Sequence, residues 1–168
     1  MEHGWDFDKI EKQGLLIFVS PSLLDTQTDK LLYQIVNAVN KAKAKRVVID
    51  AISTMESANL NQNKVREFLL QLYSFFKMKG ITCVITYLST SIFDAKGDQV
   101  FGGGEATELR LSSVVDGAIL LRYAEQKGSV KRFFNVLKMR GSKHDKTIRT
   151  FEITKKGVKI GGFKNKAK

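Results

Sequence analysis

The chain has 168 residues, a net charge of +11, a 43% hydrophobic fraction and a single proline, which suits one domain with a buried core and excludes a long disordered linker. Its longest apolar runs, such as GLLIFV, are too short to cross a bilayer and no charged-then-apolar leader opens it. The lone Cys83 excludes an intrachain disulfide or a Cys-based zinc cluster, so the cytoplasm is the default compartment.

The charge is uneven. Residues 127–168 hold fourteen Lys/Arg against Asp145 and Glu152, a net +12, whereas the first 126 hold fourteen against fifteen acids. Such polarity suits a polyanion, a phosphate-bearing ligand or an acidic protein face.

In chain order, GLLIFVS (14–20) reads as a buried strand. Leu31, Ile35 and Val39 recur every four residues with Leu32 and Val36 beside them, an amphipathic helix. RVVIDAIS (46–53) is a β-branched run bounded by charges and reads as a central strand. Val65, Phe68, Leu69, Leu72 and Phe76 mark a second core-facing helix, closed by Gly80. ITCVITY (81–87) is a third buried strand, with Cys83 inside it. Helix alternating with strand predicts an α/β fold built on an open, mainly parallel sheet with flanking helices. SIFDAKGDQVFGGGEAT (91–107) is a Gly-rich loop. Beyond it, VVDGAILLRY, RFFNVLKMR and TIRTFEIT predict closely spaced strands turned by EQKGSVK and GSKHDK, an antiparallel C-terminal extension joined to the parallel sheet.

RVVIDAIS has the form of a Walker B strand, four apolar residues delivering Asp50 to the carboxyl end, where open α/β sheets bind ligands. A carboxylate there can hold magnesium through its water shell, although many buried strands simply end in a loop aspartate. Thr86, at the corresponding end of the next strand, suits a phosphate or an attacking water, or is a satisfied strand-end hydroxyl. No G-x-x-x-x-G-K-[ST] occurs in the chain, and FGGGEAT lacks the lysine of a phosphate cradle. In NVLKMRG, strand alternation puts Lys138 and Arg140 on one face and Met139 on the other, just before Gly141-Ser142 breaks the run. Ser112-Ser113 reads as a helix-end or turn pair, and a lone His144 in a basic turn as solvated. With His3 the only other histidine, a multi-histidine metal site is excluded.

Taken in order, these segments resemble the KaiC family of RecA-like ATPases, over nearly the whole chain but only the second half of a KaiC-type domain. GWDFDKIEKQGLL is similar to the segment after the nucleotide helix, RVVIDAIS to the Walker B strand and ITCVITYLST to the strand that follows. SSVVDGAILLRY and NVLKMRGSKHDKTIRTFEIT carry the most distinctive match, with K-M-R-G-S-x-H-D-K its most specific string.

The resemblance implies a partial RecA-like core and ATP with magnesium lying between subunits of a ring. Asp50 would be the Walker B carboxylate. The counterparts of Lys138 and Arg140 reach the neighbour's γ-phosphate, and those of Met139, His144 and Lys146 complete the contact. The chemistry is consistent: Arg presents a charged planar fork to phosphate oxygens and Lys a point charge. Cations supplied in trans stabilise the charge that develops in phosphoryl transfer. Ser112 and Ser113 align with the Ser/Thr pair that autophosphorylates in clock members.

The P-loop would lie upstream of Met1. The expectation is therefore a truncated ATPase domain over 1–160 with a basic flexible tail at 161–168, partnered by itself or a full-length KaiC-like subunit and inactive alone. Two alternatives accompany it: a nucleic-acid-binding module using DAKGDQVFGGGEAT (94–107) and the basic C-terminal quarter, and a degenerate regulatory partner of a KaiC-like ring.

Overall fold

Residues 4–20, 27–57, 62–88, 114–126 and 128–161 are described in the computed structural model. They fall into two compact units, one within Phe7–Ser89 and the other within Met1–Asp6 and Thr90–Lys168. The 91–107 segment and the tail beyond residue 161 lie outside the described residues.

The first unit contains helices α1 (Phe7–Lys12), α2 (Thr28–Ala42), α3 (Ser53–Ser57) and α4 (Gln62–Lys79) and strands β1 (Arg46–Ile49) and β2 (Thr82–Ile85). Its core is the predicted stripe of α4: Val65, Phe68, Leu69, Leu72 and Phe76 are each at most 4% exposed. The three- and four-residue spacing brings these side chains onto one face. Burying each contributes roughly 1.5–3 kcal/mol of transfer free energy. The stripe packs against α2, α3 and β2. Gly80 ends α4 at φ +62°, its N–H donating to the Lys77 carbonyl while Ile81 N–H reaches back to Phe76. Paired bonds of this kind satisfy carbonyls that the helix leaves orphaned.

β1 and β2 pair in parallel, with Val47 opposite Cys83 and Val48 opposite Val84. Val47, Ile49, Cys83 and Ile85 are half-buried on one side of this ribbon, whereas Val48 and Val84 are 67% and 54% exposed on the other. β1 therefore has one ladder partner among the described residues instead of the two expected of a central strand. The predicted strand at 14–20 is also absent. No described strand offers it a ladder, and Leu15, Ile17, Phe18 and Val19 are exposed in irregular backbone. Phe18 instead meets Phe7 edge to face, with centroids 6.3 Å apart.

The second unit is an antiparallel sheet in the order β3 (Gly117–Gln126), β4 (Ser129–Met139), β5 (Arg149–Thr154), β6 (Gly157–Ile160). The first three strands are the predicted ones. β6 was not foreseen; it returns through a tight turn closed by the Thr154 hydroxyl donating to the Gly157 carbonyl at 2.9 Å. The parallel pair and this sheet form distinct ladders among the described residues. No described helix is long and apolar enough to cross a membrane.

Candidate functional site

β1 delivers Asp50 to the carboxyl edge of the parallel pair, and the backbone of Thr86 fixes the chain there. Thr86 N–H donates to the Ile49 carbonyl, and Ile52 N–H donates to the Thr86 carbonyl, both at 3.0 Å. The Thr86 hydroxyl donates to Asp50 Oδ1. The Asp50–Ala51 peptide is cis. α3 begins immediately afterwards, and its Ser53 hydroxyl accepts the Leu88 N–H at 3.3 Å. The edge thus collects the Asp50 carboxylate and the Thr86 hydroxyl from the ends of two adjacent strands and the Ser53 hydroxyl from the start of α3. Among the described residues no three His, Cys, Asp or Glu side chains gather into a metal cage.

The cationic residues lie at the end of β4. Ladder register places Lys138 opposite Ala118 and Met139 opposite Gly117, while Arg140 N–H donates to the Asp116 carbonyl at 2.8 Å just beyond the strand. Arg140 Nη1 also lies 3.5 Å from Asp116 Oδ1. Since directly opposed residues share a face, the register puts Lys138 and Met139 on opposite sides of the sheet, with Arg140 following in the turn. A Cβ at Gly117 would sit 3.3 Å from Met139 Sδ, a tight approach to a side chain that is 41% exposed.

A β-bulge precedes Lys138: Ala118 pairs with Lys138 but Ile119 pairs with Val136, leaving Leu137 as the extra residue. Without it Lys138 would share the face of Val136 and Phe134. With it, Lys138 joins the face of Asn135 and Phe133. Bulges re-aim side chains in this manner.

The connection to β5 is locally tied. Asp145 accepts the Thr147 N–H at 2.8 Å and pairs with Arg149 Nη2 at 2.5 Å. The Thr147 hydroxyl, then Arg149, then the Thr147 N–H hold the Asp145 carboxyl well below the usual carboxylate range. His144 departs from the solvated histidine expected: Nε2 is buried and has no hydrogen-bond partner among the described residues. Lys146 is exposed.

Asp50 and Thr86 are therefore brought together in one unit. Lys138, Met139, Arg140, His144 and Lys146 follow one another at the β4–β5 end of the other. Ser112 and Ser113 lie outside the described residues. Sequence reasoning missed Ser53, the bulge and the Asp116 partner of Arg140. Pairing VVDG against KMRG across the hairpin would have found Asp116.

Residues 1–165 match the family described as "ATPase: KaiC". The chain is 35% identical over 160 residues to the circadian clock protein KaiC3 of Synechocystis sp., covering 94% of this chain and 30% of that protein. It is 34% identical over 163 residues to the circadian clock oscillator protein KaiC of Synechococcus elongatus, covering 96% and 30%. It thus spans about 30% of the length of these curated relatives. A KaiC-like protein of Pyrococcus horikoshii superposes with a TM-score of 0.75 at 28% identity, covering 96% of this chain and 67% of that one.

Proposed function

The chain belongs to the KaiC family of ATPases, and on that premise we propose that it is the part of a KaiC-like ATPase domain that carries the Walker B strand and lends a Lys/Arg finger to ATP at a subunit interface. The observation that carries the reading is the Thr86 hydroxyl on Asp50 Oδ1 at the carboxyl edge of the parallel pair. A carboxylate oriented by a neighbouring hydroxyl at that edge suits magnesium, which keeps most of its waters and takes few protein ligands. Asp50, with Thr86 beside it, would hold the ion through that water shell. Bound there, it would neutralise charge on the phosphate oxygens.

Lys138 and Arg140 supply the second element. They lie two residues apart, Lys138 half-buried near the end of β4 and Arg140 exposed in the turn just beyond it. Their work is electrostatic: they orient a phosphoryl group carried by a neighbouring subunit and offset its growing negative charge. Met139, 41% exposed, lies on the face opposite Lys138, and His144 and Lys146 follow the pair in sequence. Because the chain contains no P-loop motif, the nucleotide's main cradle comes from elsewhere and the isolated chain hydrolyses ATP negligibly. The partner is a second KaiC-like subunit, and a cytoplasmic location accompanies that role.

The test is complementation. A P-loop-bearing KaiC-like subunit whose own finger lysine and arginine are replaced by alanine is mixed with this chain, and phosphate release is followed. Hydrolysis restored by the natural chain but not by Lys138→Ala/Arg140→Ala supports the reading. Absence of rescue, or micromolar ATP affinity in the isolated chain, overturns it.

A further inference from the structure

The ladder register sorts the side chains of the antiparallel sheet by chemistry. Directly opposed residues share a face, and one row crosses all four strands: Tyr123 lies opposite Arg132, Arg132 opposite Phe151 and Phe151 opposite Ile160. Alternation adds to that face the residues two positions along each strand. Ile119, Leu121, Val130, Ile153, Val158 and Ile160 all belong to it, and each is more than half exposed. The lysines go the other way: Lys138 lies opposite Ala118, Lys131 opposite Ala124 and Lys159 opposite Glu152. Only Glu125, Arg132 and Arg149 bring charge to the apolar side among the strand residues. Asp145 meets Arg149, and the Arg132 guanidinium lies 5.6 Å from the Tyr123 ring centroid. The face is therefore close to neutral, although residues 127–168 carry a net +12.

A contiguous apolar surface of this extent marks a contact with another protein layer. A polyanion or an acidic protein would seek the lysines of the opposite side, whereas a neutral apolar face fits another like it. We infer that this face seats a second copy of the chain, the two sheets packing face to face as the halves of a sandwich. A two-fold axis makes such a contact self-complementary, so one face serves both copies. Its neutrality lets two chains of net charge +11 meet while their lysines point away from the contact. The area is sufficient. With about 4.8 Å between strands and about 3.3 Å per residue, the four strands cover roughly 19 Å by 25 Å. Pairing two such faces removes about 1,000 Å² from water, the size at which a specific interface becomes stable. Lys138, on the other face, and Arg140, beyond the strand, stay outside the contact, so this inference stands or falls separately from the proposed role at the nucleotide.

Sedimentation velocity of the full chain across about two decades of micromolar concentration tests it. A monomer–dimer equilibrium is expected. Raising the salt should tighten it or leave it unchanged, because copies of like charge repel less when screened. Leu121→Lys and Ile153→Lys should each weaken dimerisation about tenfold or more, since each would bury an unpaired charge. Both side chains are exposed in the single chain, so circular dichroism and melting of these variants should match those of the natural chain. Ile153→Thr keeps the β-branched shape of a strand former, adds a hydroxyl and should weaken the dimer in the same direction. Lys159→Ala, on the opposite face, should leave it intact. A monomer at every concentration, a dimer indifferent to Leu121→Lys and Ile153→Lys, or one dissolved by salt overturns the inference. So does a chain that stays monomeric yet binds a P-loop-bearing KaiC-like subunit in a way that Leu121→Lys abolishes, because the face would then belong to that subunit.

Discussion

Asp116 faces Arg140 across the end of the β3–β4 hairpin, accepting its backbone N–H at 2.8 Å and lying 3.5 Å from its guanidinium through the carboxylate. Both side chains are substantially exposed, at 61% and 46%, so the ion pair contributes less than about 1 kcal/mol to stability. The two substitutions therefore separate a structural role from a chemical one. If Arg140 acts on phosphate in trans, Arg140→Ala should lower complemented ATP hydrolysis by about a thousandfold or more. Asp116→Ala should change it only a few-fold. Similar losses from both would reduce Arg140 to a hairpin clasp. Phosphate release in the mixed assembly gives the ranking.

Thr86→Val removes the hydroxyl that meets Asp50 Oδ1 while keeping the side-chain shape. The site is exposed, so water replaces the lost donor and stability should change by about 1 kcal/mol or less. Complemented hydrolysis should fall about tenfold or more, in keeping with loss of a hydrogen-bonding partner that orients a metal-holding carboxylate. Thr86→Ser should retain most of it. A Thr86→Val variant as active as the natural chain would remove Thr86 from the site. Thermal melts run beside the activity assay keep the two effects apart.

What the sequence could show depended on whether a pattern was local. The α4 stripe was legible because Leu72 and its neighbours repeat at helical spacing, and their burial follows from that spacing alone. The alternation of Lys138 and Met139 across the strand was legible for the same reason, since it is a relation between neighbours. Which face Lys138 occupies was not, because the extra residue Leu137 resets alternation between Val136 and Lys138. GLLIFVS has strand composition, but a strand also needs a ladder partner, and among the described residues it has none. Asp50 at a strand end was legible as a position. Its Thr86 partner lies 36 residues away and emerged only from the parallel register.

Lys43 closes α2 in the left-handed region, at φ 50° and ψ 36°, with its N–H on the Asn40 carbonyl and Ala44 N–H on that of Val39. A side chain with a Cβ is strained there, by about 1 kcal/mol, and glycine is not. Gly80 performs the same closure for α4 at φ +62°. Lys43→Gly should therefore stabilise the chain by roughly 0.5 kcal/mol, part of the gain being offset by the freer unfolded glycine. The expected sign is a higher urea midpoint at unchanged slope. A lower midpoint would mean that the Lys43 side chain contributes more than its backbone costs.

Cys83 sits on the packed side of β1–β2, and burial pushes its thiol from 9.0 up to about 11. The thiolate is the nucleophile, so at pH 8 the folded protein should alkylate with iodoacetamide about a hundredfold more slowly than the unfolded chain, in proportion to the thiolate fractions. The same displacement fixes the sign of a stability effect. Below pH 9 both states hold the proton and stability is unaffected. Between about 9 and 11 the unfolded chain sheds it first, so stability falls as pH rises through that window. Cys83→Ala should remove this window while leaving the profile below pH 9 unaltered in shape. Mass spectrometry of the alkylated chain across pH, in the presence and absence of urea, measures the first effect, and urea midpoints at pH 8 and 10 for both chains measure the second. Equal alkylation rates in the folded and unfolded chain would mean that the strand opens readily enough to expose the thiol.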